Sequence, residues 1–246
     1  MRKLLFILVL FPVMAWGQIL APVMQKAPVA GGGSPAFVGG CANVATTGNV
    51  VSCTLSASAT AGTKIAVVGV AYAAAAGETL AISDNCNTGG TSNSYSYTAE
   101  SGEQAYNGSP VWQGYATVGA TTASCTVTVT CTSSNCTWIN IGAHNFSGAT
   151  TLDGSAINPN DATTSITSSA ITTTGASDYI FGWSWDSTAG GATFTQGTGF
   201  LNRYAAGDSG INLQTEDKIQ SGAGSIAATS TASTTSQIYA GIMAFK

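Results

Sequence analysis

Histidine is the first side chain to consider for catalysis, and this chain of 246 residues contains one, His144. Any serine–histidine–carboxylate triad must therefore use His144, and a metal site built from several histidines is excluded. The sequence contains neither the GxSxG nor the HExxH pattern, which position a catalytic serine or a pair of zinc-binding histidines. We expect His144 to be a half-exposed polar residue near the end of a strand, not a catalytic base.

Carboxylates offer a second route to catalysis, because glycoside hydrolysis needs only two of them, about 5 to 10 Å apart. The close pairs in sequence are Glu100 with Glu103 and Glu216 with Asp217. Adjacent residues of a strand point to opposite faces, so Glu216 and Asp217 cannot act jointly. We interpret this run, with Lys218, as a solvated or salt-bridged segment. The sequence therefore predicts no enzyme activity, and a glycoside hydrolase is the weakest of the alternatives.

Two loop clusters carry the hard oxygen ligands that Ca²⁺ requires. The candidate ligands are Asp84, Asn85, Asn87, Asn158, Asn160 and Asp161. Asp and Asn are also the common turn residues, and turn formation is the more frequent reason for such clusters. Calcium is thus the one cofactor that the sequence leaves open.

Aromatic residues support a binding hypothesis. Tyr179, Phe181, Trp183 and Trp185 alternate along the chain, so they share one face of a predicted strand. An exposed row would offer a flat platform for sugar rings, whereas a buried row is simply core. We favour burial, because an exposed row of this size would be an unusual apolar patch. The second candidate surface consists of Tyr95, Tyr97, Trp112 and Tyr115.

The start of the chain predicts export. Arg2 and Lys3 precede an apolar run that ends near the small residue Gly17, which indicates a secretory signal peptide at residues 1–17 and a secreted, extracellular or cell-surface protein. Residues 18–35 are rich in proline and glycine and are predicted to form an extended leader. Their apolar side chains leave open a second role, pairing with a neighbouring subunit as an added strand. The longest later apolar run, residues 65–76, is shorter than the roughly 20 residues of a membrane-spanning helix.

Charge narrows the range of partners. The formal net charge is −4, and loss of Arg2 and Lys3 makes it more negative, so nucleic acid is excluded as a partner. Charged residues form 7% of the chain, against roughly 25% in an ordinary globular domain. A surface of hydroxyl groups and small side chains is typical of secreted, protease-exposed or assembled proteins.

The chain has six cysteines, all after the signal peptide, which predicts up to three disulfides. Six cysteines allow 15 connectivities. Cys131 and Cys136 flank a four-residue turn, and Cys41 with Cys53 and Cys86 with Cys125 would complete one set. The alternative is that one or more cysteines are free and buried. No CxxC pair occurs, which argues against metal binding by cysteine.

Short β-rich runs separated by turn signals follow one another from residue 36 to the end, without a helical period. This pattern predicts an antiparallel β-sandwich, and since no linker interrupts it we expect one domain over residues 36–246. Residues 124–148 are predicted to form a β-hairpin. A hairpin with Cys131 opposite Cys136 would mix polar and apolar residues on both faces. The hairpin therefore requires either a β-bulge in its second strand or a different cysteine pairing.

Several short segments along the chain serve as landmarks. They are IAVVGVAY (65–72), ISDNCN (82–87), the strand around Trp112, CTVTVT (125–130), FSG (146–148), SDYIFGWS (177–184), TEDKIQSGAG (215–224) and IYAGIMAFK (238–246). Together these segments resemble a recurring type of bacterial secreted or phage-borne module with a jelly-roll fold. The resemblance implies an all-β, jelly-roll-like sandwich, and it implies no activity. The cysteines depart from the plainer members of this group.

The sequence predicts a non-catalytic structural or adhesive surface protein, with self-assembly as one mode of action. Its expected partners are further copies of itself, other surface proteins or a glycan. The alternative is a carbohydrate-binding module that uses exposed aromatic residues.

Overall fold

The computed structural model describes residues 33–73, 78–101, 110–132, 136–187, 190–208 and 210–246. In this part of the chain, antiparallel strands account for nearly all regular structure, and the one helical segment is a 3₁₀ turn at Thr88–Gly90. The strands are β1 (Ala36–Ala45), β2 (Val50–Thr54), β3 (Lys64–Ala73), β4 (Leu80–Asp84), β5 (Ser96–Ser101), β6 (Val111–Thr117), β7 (Thr126–Cys131), β8 (Cys136–Ser147), β9 (Leu152–Thr167), β10 (Ile171–Thr173), β11 (Ser177–Asp186), β12 (Phe194–Gln196), β13 (Leu201–Asp208), β14 (Ile211–Ser221), β15 (Gly224–Ile226) and β16 (Thr229–Phe245).

The sixteen described strands form four antiparallel sheets. The two largest are a five-stranded sheet of order β1-β8-β3-β6-β5 and a six-stranded sheet of order β12-β16-β11-β14-β13, in which β9 also pairs with β16. A three-stranded sheet, β2-β7-β4, and a two-stranded ribbon, β10-β15, complete the fold. The predicted class, an all-β antiparallel sandwich with disulfides, is confirmed.

The central strand β3 of the five-stranded sheet is buried on both faces, which explains its continuous apolar run. Ile65 and Val67 pack in the core shared with the three-stranded sheet. Ala66 and Val68 point the other way, into the core shared with the six-stranded sheet. A strand covered on both faces needs apolar residues at successive positions and not at alternate ones.

The predicted hairpin at residues 124–148 is wrong. Strand β7 pairs with β2 and β4, whereas β8 pairs with β1 and β3, so the two strands lie in different sheets. Val129 of β7 and Ile139 of β8 meet across one apolar core. The assumed hairpin pairing would have mixed polar and apolar residues on both faces. This problem does not arise in the observed fold, because β7 and β8 lie in facing sheets and each turns an apolar side toward the shared core.

A β-bulge in β8 lies next to this crossover. The register between β3 and β8 shifts between Ala71 and Tyr72, at Trp138, which has a positive φ of 47°. The Trp138 ring meets the Tyr72 ring edge-on at 5.8 Å. The extra residue lets Cys136 and Ile139 face the same core, as a bulge does when it re-aims side chains.

Three disulfides join Cys41 to Cys53, Cys86 to Cys125 and Cys131 to Cys136, the set of pairs given in the sequence analysis. Two of them connect the three-stranded sheet to the five-stranded sheet, through β1–β2 and β7–β8. The third joins the end of β4 to the start of β7 within the three-stranded sheet. The cross-links therefore hold the three-stranded sheet in place.

Close packing between neighbouring strands of the six-stranded sheet predicts a sharp difference between two glycines. A Cβ at Gly241 of β16 would overlap the ring of Trp183, the residue opposite it on β11. We expect Gly241→Ala to lower the free energy of unfolding by about 1–3 kcal/mol, because the buried indole has no room to move. Urea denaturation measures the effect.

Gly224→Ala is the matched control for this prediction. Gly224 lies in the short ribbon, and the nearest atom to its added Cβ, in Gln220, is 3.8 Å away. This variant should be as stable as the parent protein. Equal stabilities of the Gly241→Ala and Gly224→Ala variants would contradict the packing described here.

Candidate functional site

The aromatic row of β11 is core. Tyr179, Phe181 and Trp185 are 0% exposed and Trp183 is 1% exposed, and all four pack between the two large sheets. A sugar ring cannot stack on side chains that the five-stranded sheet covers. The prediction that Tyr179, Trp183 and Trp185 bind a ligand is therefore wrong. The favoured interpretation, that the row is buried in the core, is confirmed.

The second aromatic set does not form a platform either. Trp112 is buried, and its ring contacts the Tyr97 ring edge-on at 4.6 Å. The rings of Tyr95 and Tyr115 are half-buried, and Tyr115 packs edge-on against Phe245. Tyr97 is the one member of the set that is exposed, at 38%. The four rings of this set therefore do not form one exposed row, and ligand binding by Tyr95, Tyr97 and Tyr115 stays a prediction.

The first candidate calcium cluster holds a loop together by hydrogen bonds. The Asp84 carboxylate accepts from the backbone N–H of Cys86 at 3.0 Å, from both the backbone N–H and the side-chain amide of Asn93 at 2.9 Å, and from the Tyr95 hydroxyl at 2.7 Å. Asn85 Oδ1 accepts from the backbone of Thr126 at 2.8 Å. Asn87 Oδ1 accepts from the backbone of Thr88 at 2.8 Å and caps the 3₁₀ turn.

The second candidate cluster lies within β9. The amide groups of Asn158 and Asn160 both donate to the carbonyl of Thr167, at 3.0 and 3.1 Å. Asn160 Oδ1 accepts from the backbone of the same residue. The side chain of Asp161 lies outside the described residues. These bonds are those expected of turn and strand formation, and calcium binding at either cluster stays a prediction.

Among the described residues, one further group has the composition of a metal site. Glu78 lies beside Cys131 and Cys136, and all three are buried. The two sulfur atoms are joined in a disulfide, so they offer no thiolate to a metal ion.

Of the two carboxylate pairs, the structure describes both side chains of Glu216 and Asp217 alone, and these two do not converge on one site. Glu103 and the side chain of Glu100 lie outside the described residues. Glu216 and Asp217 point to opposite faces of β14, as predicted, since Asp217 reaches Tyr179 in the core whereas Glu216 contacts Gly197 on the other side. The expected solvation of this run is wrong, because both side chains are 2% exposed. The expected salt bridge is present, from Arg203 to Asp217 at 2.8 Å.

His144 is the centre of a buried polar network, and its predicted half-exposure is wrong. The residue projects from β8 into the core between the two large sheets and is 0% exposed. Its Nδ1 lies 2.9 Å from the Tyr179 hydroxyl on β11, and its Nε2 lies 2.9 Å from Thr215 Oγ1 on β14. We call His144, Tyr179, Thr215, Asp217 and Arg203 the His144 network.

The hydrogen bonds of the His144 network have one consistent direction. The Tyr179 hydroxyl donates its single proton to Asp217 Oδ2 at 3.1 Å. Its oxygen must therefore accept from His144, which places the imidazole proton on Nδ1. Nε2 then has a free lone pair and accepts from the Thr215 hydroxyl at 2.9 Å, since the other acceptor near that hydroxyl, the Tyr204 carbonyl, is farther away at 3.5 Å. Arg203 Nε donates to the other carboxylate oxygen of Asp217, so the chain of bonds ends in an ion pair.

Burial sets the electrostatics of the His144 network. Desolvation, with the positive charge of Arg203, lowers the pKa of His144 to about 3. Desolvation and the Asp217 carboxylate raise the pKa of the Tyr179 hydroxyl well above its ordinary value. The Arg203 guanidinium lies 4.2 Å from the centre of the Phe37 ring, a cation–π contact with β1. The network is therefore neutral at His144 and charged only at the Arg203–Asp217 pair.

A catalytic triad also connects a hydroxyl group to an imidazole and then to a carboxylate. The His144 network has the same order, except that Tyr179 lies between the imidazole and the carboxylate. In this fold, Thr215 and His144 are both 0% exposed, so a substrate carbonyl cannot reach the hydroxyl oxygen. What the arrangement does is connect β8 of one sheet to β11 and β14 of the other.

Two more polar side chains cross the same core. Gln113 of β6 is 0% exposed, accepts from the Trp183 indole N–H at 2.9 Å and donates to the carbonyl of Ile242 at 3.3 Å. Asn140 of β8 donates to the carbonyl of Ala206 on β13 at 3.4 Å. Within the described residues, His144, Gln113 and Asn140 thus join the two large sheets by directional bonds. The sequence carries no local signal for these contacts, because each partner lies far along the chain.

No family model, curated protein or solved structure matches this chain. Its resemblance to secreted jelly-roll modules stays a prediction.

Tyr179→Phe tests the His144 network. The change leaves the His144 Nδ1 proton and one Asp217 oxygen without partners in the core, so we expect a loss of about 1–3 kcal/mol in the free energy of unfolding. Tyr115→Phe is the control, because its ring packs in the same core and its hydroxyl makes no hydrogen bond to the described residues. Equal losses in the two variants, measured by urea denaturation, would argue against the network.

Glu216→Gln tests the buried carboxyl group on the other face of β14 from Asp217. Desolvation raises the pKa of Glu216 from 4.5 to about 8, against the opposing effect of hydrogen bonds from the backbone of Gly197 and Thr229. Between these two pH values the folded chain keeps a proton that the unfolded chain releases, so the stability of the parent protein falls as pH rises.

Glutamine has no proton to lose, so it keeps the neutral form at every pH. The stability of Glu216→Gln relative to the parent should therefore increase by roughly 1.4 kcal/mol per pH unit across this range. Denaturation curves at several pH values measure the difference. A difference that does not change with pH would disprove the raised pKa.

Proposed function

We propose that this chain is a secreted structural or adhesive protein that makes contact through the outer face of its three-stranded sheet. The observation that carries the proposal is the chemistry of that face. Its central strand, β7, points Thr126, Thr128 and Thr130 outward between the hydrophobic residues that face the core. Ser52 and Thr54 of β2 extend the same surface. We call this surface the hydroxyl face.

The hydroxyl face is ordered and uncharged. Ser52 and Thr128 share a hydrogen bond of 2.8 Å between their hydroxyl oxygens, and Thr54 and Thr126 share another of 2.8 Å. The three strands contain one charged residue, Asp84, which is buried and hydrogen-bonded within the loop. Such a face suits a neutral partner, since it repels neither sign of charge and orders hydroxyl groups before contact is made.

The signal-peptide pattern and the pairing of the cysteines support a role outside the cell. The chain opens with a signal-peptide pattern, and its cysteines are all paired, as in proteins from oxidising compartments. Two of the disulfides fix the layer that carries the hydroxyl face to the five-stranded sheet. Within the described residues, no helix combines the length and apolar character needed to cross a bilayer.

The test uses the purified mature protein in sedimentation velocity over a range of concentrations, together with binding to intact bacterial cells. We expect self-association or cell binding, and we expect Thr128→Lys to weaken it by about tenfold or more, because it places a charge at the centre of the hydroxyl face.

Thr172→Lys, on the exposed edge of the β10–β15 ribbon, is the control and should bind as the parent does. A protein that stays monomeric and binds no cells would overturn the proposal, and so would equal effects of the two lysine variants.

A further inference from the structure

The disulfides cross-link only the first part of the fold. All three lie between Cys41 and Cys136, and the sequence contains no cysteine after Cys136. The strands of the six-stranded sheet and β9, which pairs with it, all follow that residue. This sheet therefore contains no disulfide, and a covalent cross-link within it has to use other side chains.

A lysine and an aspartate at one end of this sheet are in direct contact. Lys246 follows β16, and its Nζ lies 2.6 Å from Oδ1 of Asp153 on β9, the strand that pairs with β16. Thr174 contacts both groups, since its hydroxyl donates to Asp153 Oδ1 at 2.6 Å and accepts from Lys246 Nζ at 2.6 Å. The Asp153 side chain is 3% exposed, so its carboxyl group is shielded from water.

The backbone fixes both members of this pair. The register between β9 and β16 shifts at Asp153, which is the extra residue of a β-bulge. A bulge re-aims side chains, and here it accompanies the turn of the carboxyl group toward Lys246. The Lys246 N–H donates to the carbonyl of Thr151 at 2.9 Å, and the Lys246 carbonyl accepts from the Thr151 N–H at 3.0 Å. The amine and the carboxyl group are thus held together from both strands.

A second carboxyl group lies beside the pair. The register of β11 and β16 places Asp178 next to Lys246, and Asp178 is 0% exposed. Neither of its carboxyl oxygens has a hydrogen-bond partner of good geometry, although the Gly175 N–H lies close enough to favour the charged form. Desolvation and the charge of Asp153 raise the pKa of Asp178, against the opposing charge of Lys246. A buried acid in this position can donate a proton to chemistry between its neighbours.

We propose that Lys246 and Asp153 condense into an intramolecular isopeptide bond, with Asp178 as the proton donor. A bond forms between Lys246 Nζ and Asp153 Cγ, and the bond from Cγ to one carboxyl oxygen breaks. The ammonium nitrogen gives up two protons, which leave with that oxygen as one molecule of water. Asp178 donates a proton to the departing oxygen and recovers one from Nζ. The step therefore needs no co-reactant.

The ion pair is the state from which this bond forms. Desolvation alone would raise the pKa of Asp153, but hydrogen bonds from Lys246 and Thr174 lower it to about 2. Condensation starts from the small population in which a proton has moved from the amine to the carboxylate, so we expect it to be slow. Fixed geometry offsets this cost, because effective molarities of well-oriented groups reach about 10⁵–10⁸ M. A bond that forms once after folding needs no faster reaction.

The position of the bond gives it a structural consequence. In chain order, β9 is the first of these strands and β16 is the last, so one bond between them encloses the whole six-stranded sheet in a covalent loop. Such a cross-link restricts the unfolded chain, as a disulfide does. This inference goes beyond the proposed function and does not depend on the hydroxyl face.

The experiment is intact mass spectrometry of the purified mature protein after reduction and alkylation of its cysteines. We expect the protein to be lighter than its sequence by the mass of one water molecule. A peptic digest should contain a branched peptide that joins Asp153 to Lys246. Lys246→Arg keeps the positive charge and should have the full sequence mass. Asp178→Asn should also have the full mass when freshly purified, since asparagine has no acidic proton to donate.

Lys64→Arg is the matched control and should lose water as the parent does. Among the described residues, Lys64 Nζ donates to the Thr117 hydroxyl at 2.6 Å and forms no salt bridge.

The full sequence mass in the parent would overturn the inference, and so would a loss of water that persists in Lys246→Arg. A loss confined to a linear peptide would also overturn it, because Asp153 precedes Gly154 and an Asp–Gly pair can lose water as a succinimide. Complete cross-linking in fresh Asp178→Asn would overturn the assignment of the proton donor. Cell binding or self-association by a protein of full mass would remove this inference and leave the proposed function intact.

Discussion

The arrangement of the two large sheets depends on polar side chains that cross an otherwise apolar core. His144, Gln113 and Asn140 project from the five-stranded sheet, and each is bonded to the six-stranded sheet opposite. Apolar packing would tolerate a shift of one sheet over the other, because it has no direction. A shift would separate these buried polar groups from their partners at high energetic cost. We infer that the hydrogen bonds select one relative position of the sheets, while hydrophobic burial supplies most of the stability.

The burial of polar side chains also explains the character of the surface. Asp84, Asp186 and Asp217 are buried, and each accepts hydrogen bonds from a loop or a neighbouring strand. Carboxylates that organise loops from within do not charge the exterior, and serine and threonine cover much of what remains exposed. The proposed contact through the hydroxyl face follows from this division, since a neutral, hydroxylated exterior suits neutral partners.

Much of the fold could be predicted from the local sequence pattern, and the predictions that failed did so for physical reasons. Alternation identified β7 and β11, and the crowded aromatic residues of β11 correctly favoured burial. Strands β1 and β13 carry a weaker local signal, because Gly39, Gly40 and the Ala205–Ala206 pair have low β-propensity and depend on neighbouring strands for their conformation. The hairpin prediction failed because adjacent strands in sequence can enter facing sheets.

The candidate sites were harder to predict than the fold. His144 was expected at the surface because a lone histidine in a strand carries no sign of its partners, which are 35 and 71 residues away in sequence. The bonds that Gln113 and Asn140 make across the core likewise join strands that lie far apart in the sequence. These contacts belong to tertiary structure alone.

The most direct test of the central claim is the ¹⁵N NMR spectrum of the imidazole, which is unambiguous because the chain has a single histidine. The His144 network predicts a neutral ring protonated at Nδ1 that does not titrate from about pH 8 to about pH 4 while the protein stays folded. A midpoint near the ordinary value of about 6.5, or a ring protonated at Nε2, would contradict the account.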